Sequence, residues 1–342
     1  MAKFFRKFRM QAINKSVTKY LLYALGEITL IIIGILIAMK INNLNEIGKN
    51  EAKVKAILIE IQHDLENDIL EATQLIQRYE MTDSLIKRVE QQQVTREDYQ
   101  NLRSGYASIL TSYQELAINE NGYQSLIRHL DNMPERYAPL LADLNNIYLN
   151  DKRGIDHFNK QVGQYSSEVL EGWAKKYTWF SAAIQLKLTK EAIDYFLKNP
   201  FYQNELAIYK TYAIGNLLPA TKIFKHDAIM LYKKIAELVN PEKALPTYIS
   251  SYVVDVPEAV LRTYVGTYTV GNSFSLKVTL EDHQLFVQGT GQPKLKVFAK
   301  SERQFFPAFV DAKFTFNKDE HGKVVGLTLH QHGQQIAFNK AN

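Results

Sequence analysis

The chain has 342 residues, a formal net charge of +5 and an apolar content of 46%, which is typical of a protein that folds. It contains no cysteine, and this excludes disulfide bonds, thiolate nucleophiles and cysteine-ligated zinc. The positive charge comes from six cations that precede residue 20 without any acid among them: Lys3, Arg6, Lys7, Arg9, Lys15 and Lys19. Because the remaining 35 Lys and Arg face 36 Asp and Glu, no nucleic-acid partner is expected.

Residues 20–39 form an apolar run, YLLYALGEITLIIIGILIAM. Twenty helical residues that each rise about 1.5 Å span about 30 Å, the thickness of the hydrocarbon core of a bilayer. A cleavable signal peptide is the alternative, but it would have a shorter apolar region and a cleavage site with small residues, whereas this run ends in IAMKINN. We therefore predict a basic cytoplasmic segment at 1–19 and an uncleaved transmembrane helix at 20–41. The positive-inside rule places the C-terminal part of the chain outside the cytoplasm.

One acidic residue, Glu27, interrupts this apolar run. A carboxyl group in hydrocarbon costs a few kcal/mol, so it should face protein or reach the interface. Helical spacing places four residues near one stripe of the span: Tyr23, Glu27, Gly34 and Ala38. Gly34 and Ala38 form a small-xxx-small pair, which predicts a contact with a second copy of the chain or with another membrane protein. The alternative is that Glu27 snorkels to the cytoplasmic interface.

The N-terminal 46 residues resemble an uncharacterised family of single-span envelope proteins of gram-negative bacteria. The resemblance rests on FFRK at 4–7, KYLLYALGEI at 19–28, IGILIA at 33–38 and INNLNE at 41–46. That family usually has Trp at the position of Leu44, so an interfacial anchor is missing here. The resemblance implies an inner-membrane protein with a periplasmic body, and it implies no activity.

Residues 47–245 have the periodicity of a helical bundle. From Glu51 to Gln93 there is no Pro or Gly, and apolar residues recur at helical spacing, so this helix is expected to continue from the membrane as a stalk. Further helices are predicted at 96–117, 122–131, 135–175, 189–198 and 200–239, with a kink at Pro219. Long amphipathic helices with short connections favour an antiparallel bundle outside the membrane.

The pattern changes to period two at residue 257. Eight short strands are predicted, at 263–269, 273–280, 284–289, 294–299, 303–309, 312–318, 323–330 and 334–340. Consecutive hairpins in so small a domain, 257–342, indicate an up-and-down antiparallel barrel. The fold class is therefore α+β: one transmembrane helix, a helical bundle and a small C-terminal barrel.

The same C-terminal residues resemble the lipocalin-like domain that is appended to many bacterial beta-lactamase-like serine hydrolases. The resemblance rests on YVGTY at 264–268, LEDHQL at 280–285, TGQP at 290–293, FF at 305–306, VDA at 310–312, FTF at 314–316 and GLTLHQHG at 326–333. In those proteins the domain is an accessory that contacts a neighbouring domain or a second copy. The resemblance therefore brings no catalytic residue to this chain.

Few residues suggest chemistry. His330 and His332 lie on one predicted strand face and are the candidates for a metal site, although no acid or cysteine accompanies them at ligand spacing. Ser-x-x-Lys occurs at Ser16–Lys19 and Ser84–Lys87, and because about one such match is expected by chance, the motif is weak evidence. Six aromatic residues are predicted to line a barrel cavity if the interior is open: Tyr268, Phe274, Phe286, Phe298, Phe314 and Phe316.

The leading hypothesis from the sequence is a non-enzymatic inner-membrane protein whose periplasmic part acts as an interaction or sensing module. It needs no cofactor, and its expected partners are the lipid bilayer, through 20–39, and a second copy or a membrane protein. One alternative is a small-molecule binding protein that uses the barrel interior. A second alternative, a cryptic serine hydrolase, lacks an identifiable nucleophile.

Overall fold

A computed structural model describes residues 2–271, 274–308, 310, 312–331 and 334–341, with side chains from Leu21 onward apart from residues 22 and 23. Helix α1 runs without interruption over Ala2–Glu90. An 18-residue window of its apolar part has a mean hydropathy of 2.2 and no buried residue, so by length and composition it is a candidate membrane span. Among the side chains described, from Leu21 onward, the first buried apolar residue is Val54. Helical rise places Val54 about 20 Å beyond Ile41.

Two further long helical segments share one hydrophobic core with the C-terminal half of α1. The remaining helices are α2 (Arg96–Gln100), α3 (Asn121–Ile127), α4 (Leu140–Asn145), α5 (Lys152–Lys176), α6 (Phe180–Ile184), α7 (Lys190–Lys198), α8 (Pro200–Tyr209), α9 (Leu218–Val239), α10 (Thr247–Ser250) and α11 (Glu258–Tyr264). A π-helical turn at Asn146–Asp151 joins α4 to α5, and another at Lys210–Leu217 joins α8 to α9.

The direction of packing follows from contacts between these helices. Glu80 pairs with Lys222 at 2.7 Å and Glu90 with Lys210 at 2.8 Å, so α9 runs antiparallel to α1. Asp143 pairs with Lys234 at 2.5 Å. The Tyr165 hydroxyl donates to the carbonyl of Glu205 at 3.0 Å, so α8–α9 also runs antiparallel to α4–α5. The antiparallel helical bundle is thus present.

Residues 96–117 do not form the predicted helix. Only α2 and two 3₁₀ turns at Leu102–Ser104 and Tyr106–Ser108 are helical, and 112–120 have no regular structure. Side chains from the long helices satisfy the backbone there: Tyr79 donates to the Gln114 carbonyl at 3.0 Å, and the Asn159 amide donates to the Leu116 carbonyl at 2.9 Å. At Pro219 the missing backbone donor is accommodated by the π-helical turn that precedes it.

The C-terminal domain is a nearly closed antiparallel barrel of nine strands. They are β1 (Gly266–Val270), β2 (Phe274–Glu281), β3 (Gln284–Gly289), β4 (Lys294–Lys296), β5 (Phe298–Ala299), β6 (Gln304–Phe306), β7 (Ala312–Lys318), β8 (Val324–Gln331) and β9 (Gln334–Lys340). The strand order follows the chain, and β1 pairs with β9. Nine strands form where eight were predicted, because 294–299 divides at Val297: its first part pairs with β3 and its last part with β6. Residues 263 and 264 belong to α11 rather than to β1.

The molecule has two separate hydrophobic cores. One core belongs to the helical body and extends from Val54 to Ile249. The other belongs to the barrel and extends from Leu261 to Phe338. The chain is therefore α+β, with a long N-terminal helix, a helical body and a barrel.

Candidate functional site

The apolar segment of α1 exposes the stripe that the sequence singled out. Glu27, Gly34 and Ala38 are exposed, and nothing lies within 4 Å of the position that a side chain at Gly34 would take. Tyr23 lies in the helix, but its side chain is outside the described part. The helical body and the barrel leave this surface uncovered, so the partner contact stays a prediction.

The six predicted cavity residues do not share one surface. Tyr268, Phe314 and Phe316 are buried in the barrel interior, and Phe274 packs at the edge of that core. Phe286 alternates with the buried Leu285 and Val287, so it points outward, where Lys294 lies 4.4 Å from its ring. Phe298 packs against the ring of His226 at 4.0 Å, outside the barrel core. Aromatic rings fill the interior: Phe316 stacks on Tyr264 at 4.1 Å.

The residues proposed for metal or nucleophilic chemistry lie apart. His330 is half-buried beside Thr315, with its Nε2 3.1 Å from the threonine hydroxyl, and His332 is outside the described residues. Across the described ranges, no three side chains of His, Asp or Glu converge as metal ligands. The Ser84 hydroxyl donates to the carbonyl of Glu80 and Lys87 pairs with Asp83, so these two side chains do not act on each other.

Two buried acids on α1 hold the turn that leads into α3. The Asp64 carboxylate accepts from the side-chain amide of Asn119 at 2.7 Å and from the backbone amide of Gly122 at 3.1 Å. The Asp68 carboxylate accepts from the backbone amide of Asn119 at 3.2 Å. Burial raises the pKa of Asp68 to about 7, against the effect of that hydrogen bond. Sequence reasoning missed this pair, although an acid at position 68 within the apolar stripe of 61, 65, 69 and 72 was the available signal.

A second acidic pair lies where the helical body meets the barrel. Asn146 donates to Asp227 at 3.0 Å and to Asp151 at 3.4 Å. Burial, and then the neighbouring Asp227 carboxylate, raise the pKa of Asp151 to about 7. Burial also raises the pKa of Asp227, while hydrogen bonds from Asp151 and Asn146 oppose the rise. A single proton between two such carboxyl groups relieves their repulsion.

Because of this pair, we expect the free energy of unfolding to fall as the pH rises. The folded pKa of Asp151 lies above its usual value of 3.8, so its stabilising contribution is complete below about pH 4 and is lost as the pH passes about 7. We expect Asp151→Asn to reduce the decline in melting temperature between pH 4 and 8, although Asp68 continues to contribute in the same direction. Because the pair is partly solvated, Asp151→Asn should raise the free energy of unfolding at pH 8 by on the order of 1–2 kcal/mol relative to the wild type.

The control is Asp156→Asn, the same change at an exposed acid of α5, paired with Lys152 at 2.7 Å. It should leave the pH dependence of melting as it is in the wild type. An Asp151→Asn protein with an unchanged pH profile would contradict the assignment.

The junction between body and barrel is formed by aromatic residues and main-chain hydrogen bonds. The Val254 amide donates to the Ala299 carbonyl at 2.9 Å, and Lys300 donates to the Ser251 carbonyl at 2.9 Å. Tyr252 contacts both His226 and Phe306. Burial lowers the pKa of His226 to about 4, so the imidazole is neutral near pH 7. The barrel therefore packs against the helical body through aromatic rings and hydrogen bonds to main-chain carbonyls.

At the end of the body where α1 terminates, an open cleft of about 700 Å³ lies between the end of α5 and the corner from α7 to α8. Its lining consists of Lys176, Tyr177, Thr178, Trp179, Glu191, Asp194, Tyr195, Lys198, Asn199 and Pro200. The corner exists because the side-chain oxygen of Asn199 caps α8, accepting from the Phe201 amide at 2.9 Å, and Pro200 begins that helix. We call this feature the distal cleft. No local sequence pattern singled out its aromatic residues.

Two family models match parts of the chain. Residues 27–127 match a family of unknown function (DUF6090), and residues 251–340 match a domain of unknown function (DUF3471). The first match includes most of α1 and the turn held by Asp64 and Asp68, and the second includes the barrel. Neither covers half of the chain. No curated protein and no solved structure matches it.

Proposed function

We propose that this chain is a non-enzymatic inner-membrane protein whose helical body and barrel act as an interaction or sensing module in the periplasm. The single observation that carries the proposal is the uninterrupted helix α1, Ala2–Glu90, in which the apolar segment and the first helix of the body are one element. A bilayer is the environment in which an apolar segment without buried residues is stable.

The continuity of α1 supports a role in communication. A helix without Pro or a loop between the span and the core moves as a stiff rod, so a displacement in the membrane is transmitted to the body. The Asp64 and Asp68 carboxylates attach the turn before α3 to this helix through Asn119. A partner that contacts the span can in this way displace the helical body, and a ligand that binds the helical body can displace the span.

The barrel supports interaction rather than catalysis. Residues 257–342 resemble a domain that is an accessory, and not the catalytic part, of the proteins that carry it. The alternative of a ligand in the barrel interior has less support, because Tyr268, Phe314 and Phe316 occupy that space. We propose that the contact with a second copy or a membrane partner lies on the stripe of Tyr23, Glu27, Gly34 and Ala38.

The test of topology uses the absence of cysteine in the natural chain. Ser167→Cys, at an exposed site on α5, should react with a membrane-impermeant maleimide in cells whose outer membrane has been permeabilised. Ser16→Cys, on the predicted cytoplasmic side, should react only after the inner membrane is disrupted. Protection of Ser167→Cys, or recovery of the chain in the soluble fraction, would contradict the proposal. In the same background, oxidation of Gly34→Cys should join two copies of the chain if the span self-associates.

A further inference from the structure

The distal cleft has the construction of a ligand site, and we propose that it binds a saccharide chain that stacks on Tyr177. The inference concerns the body alone and does not depend on the topology proposed above. A volume of about 700 Å³ lies within the range of sites that hold organic ligands, roughly 300–1,000 Å³. Because the cleft is open to solvent, it admits part of a chain.

The floor of the cleft is a supported aromatic platform. Tyr177 is half-buried and stacks on Trp179, with ring centroids 5.1 Å apart and planes 15° apart. The ring of Tyr195 lies 4.7 Å from Tyr177, and Trp179 and Tyr195 are both buried. Tyr177 is therefore backed by rings, and the ammonium group of the exposed Lys176 lies 5.2 Å from its ring centroid. The C–H groups of a pyranose ring carry partial positive charge, which matches the negative face of an aromatic ring.

Hydrogen bonds beneath the platform hold it in place. Tyr195 donates its hydroxyl to the Glu205 carboxylate at 2.8 Å. The indole of Trp173 donates to the same carboxylate at 3.2 Å and to the Tyr195 hydroxyl at 3.1 Å. Because this network orients the rings before a ligand arrives, little side-chain entropy is lost on binding.

The rim provides both donors and acceptors. Asn199 uses its side-chain oxygen as a helix cap, which leaves its amide hydrogens for a ligand. Thr178 contributes a hydroxyl, Lys176 an ammonium group and Glu191 a carboxylate. Hydroxyl groups of a sugar can donate and accept, so they suit such a mixed rim.

The charges at the rim argue against other classes of ligand. The Asp194 carboxylate is shared by Arg96 at 2.5 Å and Lys198 at 3.3 Å, and Glu191 is a second acid on the rim. Lys176 and Lys198 balance Glu191 and Asp194, so the lining carries no net formal charge and offers a polyphosphate chain no net electrostatic attraction. The lining has no aliphatic side chain other than Pro200, and this disfavours a lipid tail. A polyhydroxylated, weakly charged ligand is the class that remains.

The chain carries its own reporter for this cleft. It contains two tryptophans. Trp179 lines the cleft, and the ring centroid of Trp173 lies 5.8 Å from that of Trp179. Intrinsic tryptophan fluorescence therefore reports on this region of the protein.

The experiment titrates the full-length chain, in lipid nanodiscs free of sugar-headed detergent, with chitotetraose, cellotetraose and an acidic tetrapeptide. We expect a saturable fluorescence change with at least one of the two oligosaccharides and a dissociation constant below about 1 mM. Tyr177→Ala should weaken that binding at least tenfold, whereas Tyr177→Phe, which keeps the ring, should bind as the wild type does. Tyr248→Ala, at an exposed tyrosine of α10, is the matched control and should leave affinity unchanged.

Three results would overturn the inference. They are the absence of a saturable signal at about 10 mM of either oligosaccharide, binding that Tyr177→Ala does not weaken, and binding of the acidic tetrapeptide in preference to both sugars. Melting curves of the variants show whether each remains folded, and Tyr177→Phe separates loss of the stacking ring from a general loss of structure.

Discussion

Replacing Phe316 with alanine is expected to unfold the barrel while the helical body stays folded. Phe316 is 1% exposed and stacks on Tyr264, and the rings of Phe305 and Tyr268 lie 5.5 and 5.8 Å away. Removing a buried phenylalanine costs about 3–5 kcal/mol, because apolar contacts are lost and a cavity remains. That loss is comparable with the lower end of the stability range of folded domains, about 5–15 kcal/mol, and small domains lie near that end.

The matched control is Phe286→Ala, which removes the same side chain from the outer face of β3. Its cost should be below about 1 kcal/mol, because little apolar surface returns to water. Hydrogen exchange followed by mass spectrometry measures both domains in one sample. Peptides of 266–340 should lose protection in Phe316→Ala alone, and peptides of 54–90 should keep it in both variants. Equal losses in the two variants would contradict the inward and outward placement of these residues.

Replacing Gly122 with alanine is expected to destabilise the helical body by about 2–4 kcal/mol. A β-carbon at position 122 would lie 2.7 Å from a side-chain carbon of Ile61 and 2.9 Å from the backbone nitrogen of Ile61. The backbone of α1 cannot move away without disturbing its helical hydrogen bonds. The turn must therefore shift, and the shift weakens the bond from the Gly122 amide to Asp64.

Gly172→Ala is the control for this substitution. Gly172 lies in α5, and nothing lies within 4 Å of the position that a β-carbon there would take, so alanine should stabilise the helix by about 0.5–1 kcal/mol. Chemical unfolding of the full-length chain, followed by tryptophan fluorescence, measures both changes because both tryptophans lie in the body. A Gly122→Ala protein as stable as the wild type would show that the turn is not held closely against α1.

Local sequence patterns predicted much of the fold. The apolar run of 20–39 and the helical spacing of 51–93 describe a single element, α1, and the change to period two at 257 marks the barrel. These features depend on near neighbours in the chain, which are visible in one dimension. The predicted hairpins are present for the same reason, because turn residues and alternation determine local pairing.

Contacts between residues that are far apart in the chain could not be predicted from local patterns. A helix was predicted at 96–117, yet the backbone at 114, 116 and 119 is bound by Tyr79, Asn159 and Asp68, which are 35, 43 and 51 residues away from their partners. The side-chain direction of Phe298 likewise depends on the contact between the barrel and His226 of the helical body. Propensity is a weak preference that such tertiary contacts override.

The sequence by itself determined that an apolar helix precedes a helical body and a β-domain, because periodicity and hydropathy follow from burial along each element. Only the tertiary structure decided which polar and aromatic residues meet. It paired Asp64 with Gly122, Asp151 with Asp227, and Tyr177 with Tyr195, since these residues are distant in the chain and meet only when the helices pack. Candidate sites in this protein are assembled from residues that no local pattern joins.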